Sequence, residues 1–189
     1  MRLKQLSLFA LILATLALSF FQVSLAKEDG EDHGQRTRYR ERHRGEDHGR
    51  RYLKPVTDRT YKETCGACHF AYQPELLPSA SWEKIVSRFN DHFGESFELD
   101  EETERAILSY LQTNAAEHSG AKRAVKIVRS MGTQVPIRIT DIPYIKEKHH
   151  DISAATIKRQ SIGSLSNCTA CHLRAEEGIY DDDFAVVPK

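Results

Sequence analysis

The sequence predicts a mostly α-helical protein with little or no sheet, built as two small helical lobes connected by short loops. Three observations carry this expectation. Apolar residues recur at the 3.6-residue period in several segments, strand signals are confined to one short stretch, and a single five-residue motif occurs near each end of the foldable region.

The N-terminus has the order of a secretory signal peptide. Arg2 and Lys4 precede an uncharged apolar run from Leu6 to Phe21, and Ser24-Leu25-Ala26 offers small residues where a signal peptidase needs them. Residues 1–26 are therefore expected to be removed, leaving a mature chain that starts at Lys27. The rival reading is an uncleaved anchor, because the apolar run is nearly long enough to span a bilayer.

Residues 27–54 are dominated by charged residues, Gly and His, and Gly-Glu-Asp-His-Gly occurs twice, at 30–34 and 45–49. With Tyr39, Tyr52 and Leu53 as its only large apolar residues, the segment has little to bury against its ordering entropy and is expected to be a charged flexible tether. Weak metal chelation by His33, His43 and His48 is the alternative use. Beyond the tether the charges change sign: residues 55–189 hold 16 basic and 20 acidic side chains. That mild acidity offers no footprint for nucleic acid.

Order is expected from Pro55, with an N-terminal lobe over 55–120 and a C-terminal lobe over 121–189. A helix over Thr57–His69 leads into Cys65-Gly66-Ala67-Cys68-His69. The next opens at Ser81, carries Trp82, Ile85, Val86, Phe89 and Phe93 on one face, and stops at Gly94. On that face His92 would point into apolar surroundings. Asp100 is placed to cap a third helix with Glu101 and Glu102 in its first turn; it buries Ile107, Leu108, Leu111 and Ala115 and ends before Gly120. The stretch to Thr140 reads as less regular, and Val135–Ile139 is the one strand candidate. Asp141-Ile142-Pro143 starts a fourth helix that runs to His149 or His150. A last helix carries Asn167-Cys168-Thr169-Ala170-Cys171-His172 and stops near Gly178.

All four cysteines lie in the two Cys-x-x-Cys-His copies. Sulfurs three residues apart on one turn face the same way, so each pair can form thioethers with the two vinyl groups of one porphyrin. The adjacent histidine then becomes the proximal iron ligand, His69 in one copy and His172 in the other. Zinc would use the Cys pairs but does not call for a His after each. A thioredoxin-like redox motif leaves the second copy unexplained and lacks its βαβ context. Structural disulfides between such near neighbours would restrain little chain. Two covalently bound haem c groups, with their iron, are the cofactors this pattern implies. Candidates for the sixth ligands are His92, His118, His149, His150 and Met131. His118 sits at a helix end beside Gly120 and is expected to be exposed, and the flanks of Met131 look solvated.

At these residues the chain resembles the dihaem cytochrome c family known as DHC. The resemblance runs over about 60–189: the first motif, then Tyr72-Gln73-Pro74-Glu75-Leu76-Leu77-Pro78, Ser81-Trp82, Asp91-His92-Phe93-Gly94, Tyr110-Leu111, Arg138-Ile139-Thr140, the second motif, Ala175 and Gly178. It implies two haem-centred lobes, a periplasmic location and two histidines on each iron. His69 and His172 are the proximal ligands, and His92 is a distal one. The other distal ligand falls at His149, with His150 as its neighbour and rival. The partners implied are redox proteins, another cytochrome c or a membrane-bound cytochrome. The tether departs from the family pattern and receives no role from it.

Two readings of function follow from the ligand count. Two proximal and two distal histidines saturate both irons, which suits a one-electron carrier between periplasmic or membrane redox partners. The alternative is a dihaem peroxidase-like enzyme that keeps one iron open. No constellation of catalytic acid, base and vacant metal site is found, so no enzymatic activity is expected.

Overall fold

Among the described residues, several helix starts are set by a preceding side chain that accepts from a free backbone N–H group. The computed structural model describes Arg38 and residues 50–189; the stretches read as a signal peptide and, up to residue 49, as a tether lie outside the described residues, Arg38 aside. In α1 (Arg59–Cys65) the Asp58 carboxylate accepts from the Tyr61 N–H at 2.7 Å. Gly66 caps its end, so the expected helix to His69 stops early and the rest of the first motif is a turn. Helix α2 (Ser79–Val86) begins two residues before expectation and has no cap of its own. Glu117 supplies one from a distant segment, accepting from the Ser79 N–H at 2.9 Å. It also ends well before Gly94: Phe89–Asp91 form a 3₁₀ turn, and the chain then reverses through Phe93 (φ 59°) and Gly94 (φ 102°). Gly94 therefore closes a turn rather than the helix.

Helix α3 (Glu101–Thr113) starts at Asp100 as expected, with the cap bond from the Thr103 N–H at 2.9 Å. The stretch read as irregular contains α4 (Lys122–Met131). Its buried positions Ala124, Ile127 and Met131 follow the helical period, but Lys122, Arg123, Lys126 and Arg129 between them hide it from a reading of composition. Met131 is a core residue, not the solvated side chain its flanks suggested. Residues 135–139 form no strand, and a 3₁₀ turn over Ile139–Asp141 leads to α5 (Pro143–Lys148), which opens on its proline as expected. A short α6 (Ala154–Ile157) is capped by Ser153. In place of the expected last helix, two 3₁₀ turns cover Cys168–Ala170 and Ala175–Glu177, the second ended by Gly178 at φ 77°.

The protein is thus mostly α, and no sheet forms among the described residues; β pairing there is limited to two isolated bridges, His92 with Glu95 and His172 with Ala185. One apolar core joins Tyr61, Leu76, Trp82, Ile107, Leu111, Ile127, Ile142 and Tyr180. It also contains Leu53, which is 1% exposed and donates its N–H to the Gly178 carbonyl at 3.2 Å. Packing therefore begins before Pro55, and Leu53, expected in the tether, belongs to the core. Leu53 is the reason: it was the single aliphatic side chain in a charged segment, and a single apolar residue gives no periodicity to detect.

Candidate metal centres

Each attachment motif stands opposite one further histidine. In the first, His69 directs Nδ1 to the Phe70 carbonyl at 2.9 Å, which leaves Nε2 for a metal. His92 follows the 3₁₀ turn and is pinned by two backbone bonds with Glu95, at 2.7 and 3.2 Å. Its ring lies among Phe89, Phe93 and Phe97, with centroids 6.1, 4.8 and 5.4 Å away. The His69 and His92 ring planes are inclined by 20°, with their centroids 6.3 Å apart. Burial, the facing His69 and the Arg138 cation together hold His92 below its ordinary pKa, in the neutral form that can ligate.

In the second motif the His172 N–H closes the turn on the Cys168 carbonyl at 2.8 Å. His149, the residue after α5, bonds the Ile145 carbonyl through Nδ1 at 2.8 Å, and its ring centroid stands 6.0 Å from that of His172. Burial, then His149 and Arg123, also lower the His172 pKa, against a smaller opposing effect of Asp182. His172 Nδ1 is buried with no hydrogen-bond partner, which a folded chain rarely tolerates unless something binds the ring.

These pairs fit an iron held between two imidazoles. A metal–nitrogen bond of about 2 Å on each side, with roughly 1 Å from each nitrogen to its ring centre, sets the centroids about 6 Å apart. The thiols fit thioether attachment better than thiolate chemistry. All four cysteines are unpaired, and burial pushes Cys65 and Cys168 up to about 11. No group of three or more Cys, His, Asp or Glu converges among the described residues, which speaks against a four-thiolate zinc site.

The other candidate ligands lie elsewhere. His118 is exposed on the 3₁₀ turn Ala116–His118. His150 is exposed too, held by the Glu147 carbonyl at 2.6 Å and by Asp151 at 3.1 Å. Met131 packs into the core at the end of α4. His92 is half-buried, yet it reaches its aromatic surroundings from a turn and not from the helix face the sequence suggested.

Tyr72, Gln73 and Tyr180 were not singled out as site residues. Tyr72 lies 5.0 Å from the His69 ring and donates its hydroxyl to the Ser166 carbonyl at 2.6 Å, two residues before Cys168. The buried Gln73 amide donates to the Ala175 carbonyl at 2.6 Å and accepts from the Tyr180 hydroxyl. Tyr180 in turn packs against His172 at 5.4 Å. The segment after the first motif therefore braces the second, a long-range role that local pattern cannot display.

A mostly helical protein that twice sets a Cys-x-x-Cys-His motif against a facing histidine has the build of a multihaem c-type cytochrome. The comparisons with known proteins make this specific. A family model described as "Dihaem cytochrome c" matches residues 61–180. A solved diheme cytochrome c from Rhodobacter sphaeroides is 40% identical over 68% of this chain and 99% of its own, with a TM-score of 0.59. DHC purified from the same organism is 35% identical, covers 67% of this chain and 99% of its own, and has a TM-score of 0.53. A diheme cytochrome type c from Shewanella baltica is 31% identical, with coverage of 69% and 92% and a TM-score of 0.57. No curated protein sequence matches. The chain belongs to the dihaem cytochrome c family; it takes two covalently bound haem c groups and is a haem-based electron carrier.

Proposed function

We propose that the chain is an exported, periplasmic cytochrome that passes single electrons between protein partners and catalyses no reaction of its own. The haem, when bound, supplies a one-electron ferric/ferrous couple. The chain's part is to hold and saturate the metal. Cys65 and Cys68 would anchor one group and Cys168 and Cys171 the other; His69 and His92 would hold the first iron, His172 and His149 the second. The observation that carries this reading is the pair of ring separations, 6.3 and 6.0 Å, each joining a motif histidine to one other histidine. Two ligands per iron leave no position for a small substrate, which disfavours the peroxidase-like alternative.

Each pair falls within one of the lobes expected at 55–120 and 121–189, although a single apolar core runs through both. The signal-peptide features of residues 1–26 support export. The partner is another cytochrome c or a membrane-bound cytochrome. Secretion from a haem-ligating bacterial host tests the proposal. Periplasmic protein should have the mass of residues 27–189 plus two haems, exchange electrons with a small c-type cytochrome, and leave hydrogen peroxide unconsumed. Haem-free mass, retention in the membrane through residues 1–26, or peroxide turnover would each overturn it.

A further inference from the structure

Beside His92 lies a cleft of about 260 Å³ whose walls are of two kinds. Ile85, Phe93 and Ile137 make it apolar, while Lys84, Arg88 and Arg138 bring three cations to it. Asp91 also lines it, but its carboxylate is held by Arg88 at 3.2 Å. That leaves Lys84 and Arg138, for which no carboxylate lies within ion-pair distance among the described residues. The Arg138 guanidinium carbon sits over the Phe93 ring, 4.0 Å from its centroid. Phe93 is 42% exposed and takes a left-handed backbone conformation, φ 59°, that a phenylalanine seldom adopts. An exposed aromatic ring held in that conformation, with a guanidinium on its face, is not explained by core packing.

A ligand for this cleft needs a flat apolar body, negative charge at its edge and a place next to an imidazole. The volume is below that of a typical whole-ligand pocket, about 300–1,000 Å³, so the cleft takes the edge of such a body and not all of it. We propose that this cleft binds the propionate carboxylates of the haem served by His92, with Lys84 and Arg138 as the cations that hold them. Arg138 offers a planar fork that matches a carboxylate while it keeps its place over Phe93. Lys84 supplies a point charge from the last turn of α2. Arg88, already engaged by Asp91, is the lesser contributor. The two cations act as positioning residues that also raise the potential of one iron, because positive charge beside the ring disfavours the ferric state.

The inference rests on the bis-histidine reading above, so mass and EPR of the wild type come first. Absence of two haems there would defeat that reading before the cleft is reached. Arg138→Gln, Lys84→Gln, the double variant and Arg138→Lys are then compared by intact mass, redox titration and resonance Raman spectroscopy. Both haems should stay attached. One of the two midpoint potentials should fall stepwise from single to double variant while the other holds, and one propionate bending band should shift. Arg138→Lys should recover most of the potential. Should the double variant lose its low-spin spectrum, Lys84→Gln alone decides by the same criteria. Unchanged potentials and Raman bands would overturn the proposal, as would equal falls at both haems, which mark a molecule-wide charge effect.

Discussion

At the scale of single residues, direction decides which of two chemically identical side chains can serve the metal. His149 and His150 are adjacent in sequence, yet one faces His172 across 6.0 Å and the other points outward to Asp151. His149→Ala should therefore convert one haem to a form that binds carbon monoxide when reduced, whereas His150→Ala should leave the spectrum unchanged. The reverse outcome would exchange their roles. His92→Ala should open the other haem only, so each single variant binds one carbon monoxide per chain and the double variant two. Sequence could bring the choice to two neighbours but no further, since one residue of helical phase turns a side chain by about 100°. The motif histidines, proposed as proximal ligands, can be picked out locally because they follow the cysteines directly. Gly178 was legible as a stop, but its packing only in space: at φ 77° and directly against the Leu53 carbonyl, it leaves an alanine no room. Gly178→Ala should lower stability by roughly 1–3 kcal/mol, measured by thermal unfolding of the haem-loaded protein.

At the scale of elements, the helices whose signals are local were the ones the sequence revealed. Asp100 before Glu101 and Glu102, and Pro143 after Ile142, are start signals that depend on nothing distant, and α3 and α5 begin where they indicate. Helix α4 was missed because its apolar face is narrow and made partly of alanine, among four basic residues. The end of α2 was misplaced because Phe89, His92 and Phe93 keep helical spacing while serving a turn around the metal centre. The start of α2 depends on Glu117, thirty-eight residues away in the chain. Burial alone would raise the Glu117 carboxyl pKa, but its bonds from Ser79 and the nearby His118 outweigh that and leave it below the ordinary value. A depressed carboxyl stabilises the fold above the unfolded-state pKa and loses that contribution as pH falls through its folded value. Glu117→Gln should thus melt roughly 1–3 °C lower at neutral pH, an exposed and screened contribution. The gap should close in acid below the carboxylate range, and a gap independent of pH would show that charge is not what caps α2.

At the scale of the whole molecule, one core and a polar brace hold the two metal centres in a single unit. Leu53 and Tyr180 bring both ends of the folded region together, and Gln73 with Tyr72 ties the segment after the first motif to the second. The double motif made the number of centres legible from the start; the brace was not, because its members are far apart in sequence. A mature chain shortened to start at Arg50 should keep both haems and nearly the full melting temperature, as the removed residues are the charged, apolar-poor ones. Leu53→Ala in the same chain should lose about 2–5 kcal/mol, the range for a buried leucine. Equal stability of the two chains would mean that Leu53 does not anchor the C-terminal turn. The account as a whole stands on two saturated irons per chain, and low-temperature EPR of the oxidised wild type reads that directly. It should show two low-spin ferric haems of bis-histidine type in equal amounts, with no high-spin component. A high-spin signal amounting to one haem per chain would contradict the account and return the peroxidase-like reading.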